Sequence, residues 1–125
     1  MSELKFTEDH EWLQLDENNE LTIGITDYAQ DQLGDIVYIE LPEVDKSLHT
    51  GDDMAVIESV KTAGEIKAPV TGTVIEINEQ LADEPEMVNN DPLGDGWFFR
   101  MSVEDLTELE NYMDEEAYNE YIANL

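Results

Sequence analysis

The sequence predicts a mainly β fold of antiparallel strands with short helices, two of them at the C-terminal end. Three observations predict it. Apolar residues recur at alternate positions in short runs bounded by Gly, Pro, Asn and Asp, which is the pattern of half-buried strands. Helix signals are few, and each spans only a short stretch. The length of 125 residues and the 41% hydrophobic content suit one real core and argue against disorder, so a single domain over 1–125 is expected.

The elements follow in order. Residues 11–16 and 21–25 read as a hairpin turning at Glu17-Asn18-Asn19. Thr26 is placed to cap a short helix through Gln32, with Gly34 after its end. Residues 35–41 alternate as a strand that Pro42 stops. Residues 53–59 and 65–70 form a second hairpin, about 53–70 overall, and 73–78 follow as another strand after the Thr71-Gly72 bend. Residues 83–89 suit a helical turn, and 97–101 a short aromatic strand. Ser102 and Asp105 have capping spacing for a helix to about Glu110. Asp114 then caps a helix through Ala123, with Ala117, Tyr118, Tyr121 and Ile122 on one face, so the C-terminal helices span about 103–124.

The second hairpin carries Lys61 at its bend, in a chain with 5 Lys and Arg against 32 Asp and Glu. A lysine on a turn is most often only solvated. A nucleophilic lysine needs a dry pocket or a cationic neighbour, and the neighbours in sequence, Glu58 and Glu65, are anionic. The residue suits a different task, as an amine that another enzyme modifies.

Composition excludes several classes. A net charge of -27 opposes nucleic-acid binding, which rests on neutralising phosphates, and opposes docking on anionic membranes. It favours protein partners with basic faces, and it also serves solubility. There is no apolar run long enough to span a bilayer, and the N-terminus lacks a basic-then-apolar signal, so a cytoplasmic chain is expected. There are no cysteines, so any sulfur chemistry has to come from an attached group. The two histidines, His10 and His49, lack zinc-site spacing, and no calcium loop of the Asp-x-Asp-x-Asp-Gly kind occurs. No nucleophile–base–orienter set is visible, so an enzyme is not expected.

Motifs along the whole chain point to one family. They are Asp9-His10-Glu11-Trp12, Gly24-Ile25-Thr26-Asp27-Tyr28-Ala29-Gln30, Leu33-Gly34-Asp35-Ile36-Val37-Tyr38 and Leu41-Pro42-Glu43-Val44. Glu58-Ser59-Val60-Lys61 with Ala68-Pro69-Val70-Thr71-Gly72 follows, then Val88-Asn89-Asn90-Asp91-Pro92, Gly94-Asp95-Gly96-Trp97 and Asp114-Glu115-Glu116-Ala117-Tyr118. In this order they resemble the glycine cleavage system H-protein family. Biotin carriers place methionine on both sides of the lysine, where this chain has Val60 and Thr62. Lipoyl domains of 2-oxo-acid dehydrogenases show Asp-Lys-Ala and lack the His-Glu-Trp segment.

The resemblance implies a lipoyl/biotinyl-type barrel-sandwich, with lipoate joined covalently to Lys61 as the cofactor. It implies a carrier, and no catalyst. A glycine decarboxylase using pyridoxal phosphate would load an aminomethyl group on the lipoyl arm. An aminomethyltransferase would pass the carbon to tetrahydrofolate, and dihydrolipoamide dehydrogenase would reoxidise the dithiol. A lipoate-attaching enzyme is the fourth partner, and the carrier is expected to be a monomer. It further implies that the loaded arm rests in a cleft beside Glu11 and Glu65, with Asp9 and Tyr28 as lesser contacts. Residue type alone reads Glu11 as solvated on a strand whose Trp12 packs inward. Alternative functions are a lipoate relay of the same fold, passing the group to other enzymes, and an acidic interaction module that is never modified.

Overall fold

The computed structural model describes residues 3–125, Glu3 by its backbone alone, so Met1 and Ser2 of the expected domain lie outside the described residues. The chain opens with β1 (Glu3–Phe6), β2 (Glu11–Leu15), β3 (Glu20–Ile25), α1 (Asp27–Leu33) and β4 (Ile36–Glu40). Then come β5 (Ser47–Leu48), β6 (Asp53–Ser59), β7 (Ala63–Lys67) and β8 (Gly72–Ile77). It continues through the single-turn helices α2 (Gln80–Asp83) and α3 (Met87–Asn90) to β9 (Phe99–Ser102), a 3-10 helix (Leu106–Asn111) and α4 (Glu115–Ala123).

One sheet has the order β1-β2-β3-β9-β8-β5 and the other β4-β6-β7, and the described strand pairs are antiparallel. The two sheets share one core. Leu13, Ile23, Val74 and Phe99 of the larger sheet pack in the same cluster as Ile39, Ile57 and Ile66 of the smaller. No pairing joins the sheets among the described residues, so the sandwich stays open rather than closing into a barrel.

Local chemistry explains the elements that frame the site. The Thr26 hydroxyl accepts the Ala29 N–H, which starts α1 where capping predicts it. Gly34 ends the helix with φ 80°, a conformation open to glycine at little cost. β4 departs from the expected alternation, because a register shift between Ile36 and Tyr38 leaves Val37 and Tyr38 both exposed. The lysine hairpin pairs Asp53 to Glu58 with Ala63 to Lys67, with a register shift between Asp53 and Ala55, so its second strand begins and ends earlier than 65–70.

A smaller apolar cluster sits beside the sandwich. Phe6, Trp12 and Tyr118 form it, with the Phe6 and Tyr118 rings stacked at 4.6 Å. Trp12 lies over Gly24, its partner on β3, where an added Cβ would meet the indole at 2.6 Å. Its Nε1–H donates to the Pro92 carbonyl at 2.8 Å and so anchors the loop after α3.

The C-terminal reading needs correction in three respects. The first helix is a 3-10 helix, capped by the Asp105 carboxylate accepting from Thr107 N–H, while Ser102 ends β9. The segment expected at 83–89 as one turn is two turns, α2 and α3, divided at Pro85, which has no N–H to carry a helix through. On α4 the Asp114 cap holds as expected, but Ala117 is exposed and only Tyr118 of the proposed face is fully buried.

Candidate functional site

The hairpin tip is built by local hydrogen bonds. Ser59 N–H donates to the Thr62 carbonyl at 2.8 Å. The Ser59 hydroxyl donates to the same carbonyl at 3.1 Å and accepts from Lys61 N–H at 3.2 Å and Thr62 N–H at 3.1 Å. Val60 N–H reaches across to the Asp35 carbonyl at 3.0 Å, tying the tip to the end of α1. Val60 and Lys61 are thereby left exposed at the bend. The aliphatic part of Lys61 lies over Gly34, with its Cε 3.3 Å from where a Cβ would stand. A side chain at 34 would crowd the lysine, so the glycine serves both the positive φ and this approach.

Asn89 fixes the ground under the tip. Its amide donates to Gln30 Oε1 and to the Gly34 carbonyl, each at 2.9 Å, and its oxygen accepts Ile36 N–H at 2.9 Å. One side chain thus joins α3 to the turn between α1 and β4.

Beside this turn is a cleft of about 220 Å³. Ile25, Ala29, Leu33, Ile57 and Ile66 give it apolar walls, and Asp9, Glu11 and Glu65 bring carboxylates to it. The structure therefore brings Glu11 and Glu65 together, with Asp9. Tyr28 does not line this cleft; its ring packs on His10 at 4.6 Å. Lys61 stands over Gly34, next in sequence to the cleft residue Leu33.

Glu11 is buried, at 5% exposure, against the expectation of a solvated glutamate. The tight turn between β1 and β2 is the reason. His10 takes φ 69° there, Thr7 N–H bonds the Glu11 carbonyl at 3.0 Å, and the Thr7 hydroxyl accepts Glu11 N–H at 3.1 Å. The turn folds back over the first residue of β2, and the same hydroxyl donates to the Glu11 carboxyl at 3.3 Å. No ion pair reaches that carboxyl among the described residues, since the Lys67 ammonium binds Asp53 at 2.9 Å. Burial first, and then the charge of Asp9, push the Glu11 carboxyl from its ordinary value of 4.5 up to about 7.

His10 is held on the other side of the turn, its Nδ1 2.9 Å from the Tyr118 hydroxyl, which in turn lies 2.7 Å from Thr26 Oγ1. Burial lowers the affinity of His10 for a proton, partly opposed by Asp9. The cap of α1, the β1–β2 turn and α4 are locked together in this way. Among the described residues no cluster of three or more His, Cys, Asp or Glu is arranged to hold a metal ion. No described helix is long and apolar enough to cross a membrane.

The profile of the glycine cleavage H-protein family matches residues 4–125. The chain belongs to this family. It is 52% identical to the glycine cleavage system H protein of Rhodospirillum rubrum over 125 residues, covering 100% of this chain and 99% of that one. It is 49% identical to the H protein of Thermotoga maritima over 119 residues, covering 95% of each. The crystal structure of a glycine cleavage system H protein from Mycobacterium marinum superposes with a TM-score of 0.88 at 28% identity, covering 97% of each chain. H proteins are the lipoyl-carrying members of the glycine cleavage system and are not themselves catalytic.

Within this H-protein fold, sequence reasoning overlooked the residues that position the tip. Ser59 and Asn89 both stood in motifs that carried the resemblance. Their signal was there, since Ser and Asn readily bond nearby backbone in turns, but the backbone that Asn89 reaches lies 53 and 55 residues away.

The buried carboxyl predicts a pH dependence of stability. The folded chain keeps a proton on Glu11 that the unfolded chain has released between pH 4.5 and about 7, so stability falls as pH rises through that window. A shift of this size corresponds to roughly 3 kcal/mol. Urea unfolding of the wild type and Glu11→Gln, from about pH 5 to about pH 8, is expected to show the wild type losing up to that much more than the variant. Parallel losses would contradict the burial of an unpaired carboxyl.

Proposed function

We propose that Lys61 is the residue that takes lipoate in amide linkage, within a single lipoyl-carrier domain spanning residues 1–125 that works as a cytoplasmic monomer. The observation that carries this reading is the exposed amine on a tip held out by Ser59 and Asp35, next to an apolar cleft with carboxylates at its wall. The residues present fit the group. The amine is open to an external ligase, the apolar walls suit a hydrocarbon arm, and Glu11, Glu65 and Asp9 suit a cationic cargo. When bound, lipoate supplies the redox-active sulfur that this cysteine-free chain lacks.

The chain's own residues then do three things. Lys61 presents the arm at high local concentration to each partner, as any tether does. Glu11 and Glu65 hold the protonated amine of the aminomethyl cargo by charge-assisted hydrogen bonds, stronger than neutral ones. The walls from Ile25, Ala29 and Leu33 keep water from it. The partners in this reading are the glycine decarboxylase, the aminomethyltransferase, dihydrolipoamide dehydrogenase and the enzyme that attaches lipoate. The net charge of -27 favours basic docking faces on them.

Two outcomes are expected. Lys61→Arg folds normally and takes no lipoyl group, because a guanidinium is no acceptor for this amide, while Lys67→Arg and Lys46→Arg remain modified. Intact mass and peptide mapping check this, and a lipoyl group found on Lys67 or Lys46 would overturn the assignment. Glu11→Gln and Glu65→Gln accept lipoate, but their aminomethyl-loaded forms decay faster than the wild type when tetrahydrofolate is withheld. Mass spectrometry follows the decay, and equal lifetimes would remove the sheltering role. Glutamine is the better probe at position 11, because alanine at this buried site would also leave a cavity.

A further inference from the structure

Glu11 borders a second cleft. This one, of about 290 Å³, opens on the other side of the β1–β2 turn, between the end of β7 and the residues that follow the 3-10 helix. Tyr112, Pro69 and Ala68 form one wall, with the Tyr112 hydroxyl donating to the Pro69 carbonyl. Asp9 and Glu11 line this cleft as they line the first. The two spaces therefore share a wall, and the buried Glu11 carboxyl in that wall accepts from the Thr7 hydroxyl and the Lys67 backbone N–H but makes no ion pair among the described residues. The lysine nearest to it, Lys67, already serves Asp53. Burial and then the charge of Glu11 also raise the Tyr112 phenol's hold on its proton, which places that ring in the same electrostatic field.

Charge limits the occupant. Glu8, Asp9 and Glu11 line the cleft against Lys67, and this excess of carboxylates beside the Tyr112 ring suits a cation on an apolar stem. A chain with 32 acidic and 5 basic residues meets such cations on its partners.

We propose that the second cleft receives an arginine or lysine side chain of a partner protein, whose cation pairs with Glu11 and draws that carboxyl away from the arm's cleft. The entry of the partner's cation and the release of the arm then become one event, because one carboxylate cannot serve both amines equally. This rests on the reading of Glu11 as an arm contact.

The test begins on the unmodified chain, where no arm is present, so that it stands apart from that reading. Propylguanidinium, a mimic of the arginine tip, is titrated at about pH 8, where the Glu11 carboxyl is ionised, and amide NMR shifts are recorded. Saturable shifts at Thr7, Lys67 and Tyr112 are expected, weakened at least tenfold in Glu11→Gln and in Asn111→Trp, which fills the second cleft from its exposed rim. Shifts that never saturate, or that survive both substitutions, would overturn the proposal. Saturable shifts at Gln32, Leu33 and Gly64 instead would put the cation in the arm's cleft and also overturn it. In the lipoylated, aminomethyl-loaded protein, saturating propylguanidinium is expected to speed decay several-fold, but not in Asn111→Trp. Unchanged decay in the wild type alongside intact binding would overturn the release step.

Discussion

The burial of the Glu11 carboxyl without a cation is the constraint on which the site depends. A buried carboxylate is costly unless it is paired or protonated, and here the Thr7 hydroxyl and the Lys67 backbone N–H stand in for a salt bridge. The fold tolerates this because the β1–β2 turn is tied down from several sides. Thr7 bonds both the backbone and the carboxyl of Glu11, His10 is held to Tyr118, and Trp12 next door is wedged over Gly24 and bonded to Pro92. The strain of His10 at positive φ sits in the same turn. Stability is thus spent on a group that would be of no use to the core, which is the usual mark of a functional site.

The tip and the cleft are coupled through short segments rather than by a large interface. Val60 bonds Asp35, Lys61 lies on Gly34, and Asn89 holds the Gly34 and Ile36 backbone. These contacts set the root of the lysine beside the cleft while leaving its amine exposed. The arrangement suits a carrier. On the proposed reading, the acceptor has to be open for other enzymes, and the arm's resting place has to lie within reach.

Much of this was legible in the sequence. The Thr26 cap, the Gly34 stop, the 11–25 hairpin and the Lys61 bend all rest on local chemistry, which a sequence displays directly. The strand Glu3–Phe6 was missed, because its pairing with β2 is a tertiary contact and its four residues are too few for a periodic signal. The Ser102 cap failed because β9 runs on through that residue, pairing Ser102 with Glu20. Glu11 was misread as solvated for a deeper reason. Its burial depends on Lys67, Tyr112 and the β1–β2 turn meeting around it, and residue type alone says that glutamate faces water. The motif flagged the position, but only the assembled clefts give its chemistry.

The most direct test is a carbon-detected NMR titration of the Glu11 side-chain carboxyl in the unmodified chain. The account predicts a midpoint at about 7, raised from the ordinary value of 4.5. A midpoint in the ordinary range, about 4.3, would mean that the carboxyl is solvated or paired, and would contradict the shared, unpaired carboxyl on which both clefts depend.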